Sequence, residues 1–143
     1  MLMTNEEVRK IIPHRPPFMM VNEVIEAAPL EGIKATWYAD PEWPIFEGHF
    51  PEQPVVPGVC SVECIAQAMS ICILMSEKYS GKTPLFAAID DVKFKSMIVP
   101  GDNVTITVEI TDVNEERDLV SGNGEVWKGD TLCTKAKLVV APR

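Results

Sequence analysis

The sequence predicts an α+β domain in which a curled antiparallel sheet wraps one long, central, apolar helix. Three observations carry this. The run 58–79 is rich in Ala, Ile, Met and Cys, and at ~100° per residue its apolar positions go all the way round a helical cylinder. No wet face appears on it before Glu77 and Lys78, and a helix apolar on every side has to be wrapped. The segments that follow read only as strands: Val104, Ile106, Val108 and Ile110 alternate with Thr and Glu, the period of a half-buried strand. About five or six such antiparallel segments are available to do the wrapping. In a chain of 143 residues, covering the rest of the helix is expected to take a second subunit.

In chain order, Thr4-Asn5-Glu6-Glu7 forms a capping box, because Thr at the cap and Glu three residues on satisfy each other's backbone N–H groups. Val8, Ile11 and Ile12 follow at helical spacing, so a short amphipathic helix is expected near 5–12, ended by Pro13. PHRPP (13–17) is a stiff loop. The segments 18–28 and 33–39 read as strands joined by the turn PLEG; Ile33, Ala35, Trp37 and Ala39 alternate with Lys34, Thr36 and Tyr38. The stretch 40–57 has prolines at 41, 44, 51, 54 and 57, a density that excludes both ladder and helix and leaves an ordered, low-entropy loop. The apolar helix starts at Gly58, runs roughly 30 Å, and has Gly81 as its C-cap. Strands are expected at 85–95, 104–110, 119–127 (weakened by Gly122 and Gly124) and 132–140. Pro100-Gly101-Asp102-Asn103 and Lys128-Gly129-Asp130 are turn chemistry. No repeat, linker or low-complexity tract interrupts this, so 1–143 is read as a single domain.

Composition excludes several classes. The net charge of −8 gives no basic footprint for nucleic acid. Four cysteines, at 60, 64, 72 and 133, form no CxxC pair and have no His set near them, so a zinc site is not expected and reduced thiols in a cytoplasmic protein are. The start, MLMTNEEVRK, lacks the basic and apolar regions of a secretory signal. The greasy run 59–75 contains Glu63, Gln67 and several Ser and has no basic flanks, which favours a helix buried in protein over a membrane span.

The chemistry concentrates in GHFPEQPVVPG (48–58) and the helix it opens into. His49, one of two histidines in the chain, lies in the proline-stiffened loop, and Glu63 is the one charge in the apolar segment. A buried carboxyl is raised by desolvation and becomes a usable proton donor near neutral pH. Gln67, one turn on, is placed to hold it. An imidazole is the side chain suited to take a proton there. Gly58 opens the helix, where backbone N–H groups are unpaired and the dipole is positive, so a carbonyl aimed at it would be polarised. Together these parts suit elimination of water next to a thioester. The bland alternatives are a hydrogen-bonded loop histidine, a glutamate paired with a neighbouring subunit's Lys or Arg, and small core cysteines at 60 and 64.

GHFPEQPVVPGVCSVECIAQ (48–67) resembles the active-site segment of the 3-hydroxyacyl-acyl carrier protein dehydratases of type II fatty acid synthesis. IPHRPPFMMVNEV (12–24), FAAIDDVKFKSMIVPGD (86–102) and the closing strands with Trp127 resemble the same family in the same order. The resemblance implies a hot-dog fold, with His49 and Glu63 meeting across a homodimer interface, and dimers often assembled as hexamers. It implies His49 as the base at C2 of the substrate and Glu63 as the group that assists departure of the C3 hydroxyl as water. The Gly58 N–H would hold the thioester carbonyl and Gln67 would support Glu63, with Phe50 and Val59 beside them against the substrate. Glutamate at 63 favours the dehydratase branch over the dehydratase–isomerase, in which that place is typically aspartate. No cofactor or metal is implied.

The partner implied is an acidic acyl carrier protein, for which Arg15, Lys93, Lys95 and Lys10 are the cations available. Lys93 and Lys95 are two apart and so expected on one strand face. The sequence departs from many relatives at Pro16, where an aromatic is common in a gating loop, at Asn22, where Asp is usual, and at Ser96 and Met97. A hot-dog thioesterase and a non-catalytic acyl-thioester-binding module are the alternatives; His49 argues against the first, and the presence of both His49 and Glu63 against the second.

Overall fold

The computed structural model of the chain describes residues 2–143. Two α-helices, α1 (Asn5–Arg9) and α2 (Gly58–Leu74), accompany six strands: β1 (Glu23–Ala28), β2 (Gly32–Tyr38), β3 (Pro84–Phe94), β4 (Asn103–Asn114), β5 (Leu119–Lys128) and β6 (Thr131–Pro142). The strands form one antiparallel sheet in the order β1-β2-β4-β5-β6-β3. The sheet curls round α2, which is the hot-dog arrangement.

α2 is the axis of the core. From Cys64 to Leu74 every residue is buried, Gln67 and Ser70 included. Ile33, Ala35, Ile106, Val126, Ala136 and Leu138 cover it from the sheet. Alternation along the strands puts these on the inner face and the charged residues outside. One chain therefore buries most of the helix unaided, so the expected need for a second subunit shrinks to the first turn. Val59 is 74% exposed, and Phe50, Phe94 and Met97 beside it are more than half exposed. β3 pairs with β6 on one side only and ends the sheet with Leu85, Phe86 and Ile89 exposed.

Four sequence expectations change. α2 stops at Leu74, not near Tyr79, and is about 25 Å long. The reason is Ser76, whose hydroxyl and N–H both bond the Ile73 carbonyl and close the last turn; Gly81, in a left-handed conformation (φ +80°), serves the turn beyond. α1 stops at Arg9, because Lys10 and Ile11 donate to carbonyls three residues back and tighten the chain before Pro13. Its capping box is formed as expected, Thr4 Oγ1 accepting from Glu7 N at 3.3 Å and Glu7 Oε1 from Thr4 N at 3.2 Å. A 3-10 turn (Pro44–Glu47) forms inside the proline-dense stretch, since Pro at the first helical position loses no bond the turn needs. Residues 18–21 are not a strand: the Phe18 carbonyl and both Met20 backbone groups bond α2 side chains, the Phe18 and Met19 N–H groups bond the Arg15 carbonyl, and the Val21 carbonyl accepts from Asn5 of α1. Asn22, just before β1, accepts from Tyr38 N–H at 2.6 Å.

Gly124 explains how the helix lies so close to the sheet. A Cβ there would overlap Ile65 Cγ2 on α2, and one at Gly122 would come within 3.2 Å of Met69. The two glycines are the floor on which α2 rests. Gly124→Ala should lower unfolding stability by about 1–3 kcal/mol, read by urea denaturation. Gly48→Ala, whose Cβ meets nothing within 4 Å, should stay within about 0.5 kcal/mol of wild type. Equal stability of the two variants would mean that helix and sheet do not touch at Gly124.

Candidate active site

Glu63 carries the only charge on α2. Its side chain is 16% exposed, and burial pushes its carboxyl above the usual range, opposed by a hydrogen bond from Gln67. Gln67 Nε2 donates to Glu63 Oε2 at 2.9 Å and to the Phe18 carbonyl at 2.9 Å, while Gln67 Oε1 accepts from Met20 N–H at 2.6 Å. The amide is fixed at all three points. Cys64 Sγ adds a bond to the Met20 carbonyl, so the segment 18–20 is stitched along the helix beside Glu63.

A residue the sequence reading passed over joins this pocket. His14 Nε2 lies 3.7 Å from Glu63 Oε2. Its ring stacks on Phe18 at 6.1 Å between centroids. Burial, then the Arg15 charge, lowers its pKa. The available signal was the residue count: of two histidines, both sit in proline-flanked loops.

His49 lies elsewhere. It lines a cleft of about 600 Å³ with Gly58, Val59, Phe94, Lys95 and Met97. His49 Nδ1 is 2.9 Å from the Val55 carbonyl, and the Val55 N–H returns a bond to the His49 carbonyl. A carbonyl only accepts, so Nδ1 carries the hydrogen and Nε2 presents its lone pair to the cleft. Phe50 stacks on the imidazole at 4.1 Å. Among the described residues, the N–H groups of Gly58 and Val59 have no hydrogen-bond partner, as the first turn of a helix leaves them. The Phe94 ring presses on Gly58, where a Cβ would approach it to 2.8 Å.

Within one chain these residues form two half-sites. Glu63, Gln67 and His14 make one; His49, Gly58, Val59 and Phe50 make the other. Five residues of helix separate Gly58 from Glu63, about 140° round the axis, and among the described residues no bond or ion pair joins His49 to Glu63. The cations also separate. Lys95 lines the His49 cleft, whereas Lys93 lines a groove on the outer sheet face with Glu125 and Lys135. Arg15 donates to the carbonyls of Arg9, Ile12 and His14 and so straps its own loop. Lys10 is exposed just after α1. The four thiols are free, and burial pushes each up, which suits core packing better than nucleophilic attack. Among the described residues no group of three or more His, Cys, Asp or Glu is gathered as a metal site, and no helix is long and apolar enough to cross a membrane.

The family described as FabA-like domain matches residues 12–137. A 3-hydroxyacyl-acyl-carrier-protein dehydratase FabZ of Ruminiclostridium cellulolyticum is 43% identical over 76% of this chain and 77% of its own. The enzyme of that name from Symbiobacterium thermophilum is 39% identical over 92% of both chains. Among solved structures, the dehydratase heterocomplex ApeI:P of Xenorhabdus doucetiae superimposes with a TM-score of 0.80 at 16% identity, covering 95% of this chain and 90% of that one. Zebra fish thioesterase superfamily member 2 gives 0.68 at 17% identity over 96% of both. At such identities these two likenesses bear on the fold alone.

The raised Glu63 carboxyl has a consequence for stability. The unfolded chain ionises this group first as pH rises, so the folded state holds the extra proton and stability falls from the unfolded pKa upward. Glu63→Gln removes that loss. The variant should equal or exceed wild type in urea-unfolding stability at pH 8, with the difference shrinking toward pH 4. A variant less stable at pH 8 than at pH 4, relative to wild type, would show that the carboxylate is favourably bound.

Proposed function

This chain belongs to the FabA-like domain family, and from that premise we propose that it removes water from 3-hydroxyacyl thioesters on an acyl carrier protein, leaving trans-2-enoyl thioesters for fatty acid elongation. The observation that carries the reading is Glu63: a carboxyl alone on a buried helix, pushed toward its protonated form and aimed by an oriented amide. That is what a proton donor to a leaving hydroxyl requires.

The second half-site supplies the rest. His49 Nε2 takes the C2 proton. The electron pair left on C2 is delocalised into the thioester oxygen, which the Gly58 N–H meets at the positive end of α2. As the C2–C3 double bond forms, the C3–O bond breaks and the oxygen leaves with the Glu63 proton as water. C2 and C3 are adjacent, so base and acid must converge on one substrate. The roughly 140° between the two half-sites is met by drawing His49 from one copy and Glu63 from another. A second copy of the chain on the β3 edge and the first turn of α2 would cover Val59, Phe50, Phe94 and Met97, the exposed apolar residues there. The dimer is then the smallest complete unit, and a hexamer of three dimers would repeat the same paired sites. Substrate arrives on a carrier protein whose acidic surface meets Lys95, which lines the cleft, and reaches Lys93 on the outer face of the sheet. The reading places the chain in the cytoplasm and needs neither cofactor nor metal.

The test uses trans-2-butenoyl thioesters on acyl carrier protein and on coenzyme A, followed by loss of enoyl absorbance, with the 3-hydroxy product identified by mass. Wild type should hydrate them, and His49→Ala and Glu63→Gln should each lose at least about 100-fold in turnover. Intact thioester would overturn the reading, and free acid would make the chain a thioesterase. Mixing and re-associating the two inactive variants should restore about a quarter of wild-type activity, because half of random dimers carry one intact site of two. No recovery in verified mixed dimers counts against shared sites. Lys95→Glu should raise KM for the carrier-protein substrate several-fold more than for the coenzyme A thioester; equal effects remove it from docking.

A further inference from the structure

The surroundings of Glu63 assign a task to His14. Resting on the reading that Glu63 is the proton donor, we propose that His14 is a positioning residue for it: with Gln67 it holds Glu63 Oε2 as a hydrogen-bond acceptor, so that the transferable proton is kept on Oε1.

Gln67 comes first. Met20 N–H on its Oε1 at 2.6 Å fixes which end of the amide is oxygen. The NH2 end must then face Phe18 O and Glu63 Oε2, each at 2.9 Å. Both amide hydrogens are committed, and one falls on Oε2. The carbonyl oxygen of a protonated carboxyl is the better acceptor, so the acid proton belongs on Oε1. His14 Nε2 approaches the same Oε2 at 3.7 Å, longer than a hydrogen bond and short enough to close into one. Among the described residues, His14 Nδ1 is buried with no partner. A hydrogen on Nδ1 would be a buried donor without an acceptor, the costlier arrangement. The neutral ring with its hydrogen on Nε2 avoids this and points that hydrogen at Glu63.

The loop is built to hold the ring still. Prolines 13, 16 and 17 stiffen it. Arg15 straps it with bonds to the carbonyls of residues 9, 12 and 14. Phe18 stacks on the ring, and its own carbonyl takes the second Gln67 hydrogen. The Trp43 indole donates to the Pro17 carbonyl at 2.8 Å. The other titratable or charged groups facing the pocket are Cys60 and Cys64 from α2, both held neutral by burial, and Arg15 from the loop; the dimer reading adds the partner's His49. As the proton leaves Oε1, negative charge appears on Oε2 where two N–H groups wait. They stabilise the carboxylate and make a buried acid a better donor.

Two donor-less variants test this. His14→Phe keeps the stacked ring and removes Nε2; His14→Leu removes the ring too. His14→Gln returns an amide nitrogen near the place of Nε2. In dehydration of a 3-hydroxybutanoyl thioester, the donor-less variants should lose on the order of tenfold in kcat with KM within about twofold, as for one hydrogen bond to a developing charge. His14→Gln should recover most of that loss. Separately, with 13C-labelled glutamate carboxyls and the Glu63 signal identified by Glu63→Gln, Glu63 should titrate at higher pH in the donor-less variants and near its wild-type pH in His14→Gln. An unmoved Glu63 titration, or a kcat loss that His14→Gln shares in full, would overturn the proposal and leave His14 as loop packing. A wild type inactive on these thioesters would overturn the dehydratase reading, and the carboxyl titration would still decide whether His14 acts on Glu63.

Discussion

The Gln67 amide is the constraint from which the acidic half-site follows. It is fully buried on a helix whose one charge is Glu63. Left unsatisfied there, an amide costs about 1–3 kcal/mol for each group without a partner. The chain satisfies it with the backbone of residues 18 and 20 and with Glu63. With these groups taken by Gln67, and other backbone groups of the segment by Arg15, Cys64 and Asn5, 18–21 does not pair as a strand. The segment is pulled along α2, and with it come the proline loop, His14 and the Arg15 strap. The amide orients the carboxyl and, together with the Arg15 and Trp43 bonds, holds the path of the loop before the segment beside α2.

The two ends of α2 have opposite needs. Its middle requires dry, close packing, which Gly122 and Gly124 permit by letting Met69 and Ile65 sit against the backbone of β5. Its first turn shows the reverse: the Gly58 and Val59 N–H groups are left free, and Gly58 lacks a Cβ at the point where the Phe94 ring closes on it. The proline-rich stretch before it holds His49 over that turn through the reciprocal bonds with Val55. Glu63 lies at the boundary of the two regimes, close enough to the dry region for burial to raise it and still 16% exposed.

Much of this could be read from residues in order, and what could not has a common cause. Strand period placed β2 and β4, strand-like pieces between turn residues placed β3, β5 and β6, and the unbroken apolar run placed α2, because those features record burial and turns locally. The cleft residues His49 and Gly58, and the pairing of Glu63 with Gln67, followed from composition and an i,i+4 spacing. The end of α2 was misplaced because Ser76 looks like any polar residue until its hydroxyl is seen on the Ile73 carbonyl. Residues 18–21 look like a strand by pattern; a hydrogen bond to a residue 47 positions away overrides the pattern. His14 was hidden behind its prolines, which explain the loop's stiffness and say nothing of what the loop holds. Arg15 reads as a surface cation, and only its three carbonyl partners show it serving the loop.

The division into half-sites also bears on how such a chain would stay folded while the proposed chemistry depends on assembly. One sheet already buries α2 from Cys64 onward, so the subunit's core does not rest on a partner. On the His49 side, what remains uncovered is the first turn of α2, Phe50, Met97 and the β3 edge. If a second copy covers that surface, burial of apolar area and assembly of base with acid become the same event. The water-excluding contacts that favour association would then also dry the space between His49 and Glu63. A drier space strengthens every charge interaction in it, including the Gln67 N–H bond and the proposed His14 contact on Glu63 Oε2. On this view the helix places its acid and its free N–H groups about 140° apart because only a paired arrangement can use both on one substrate.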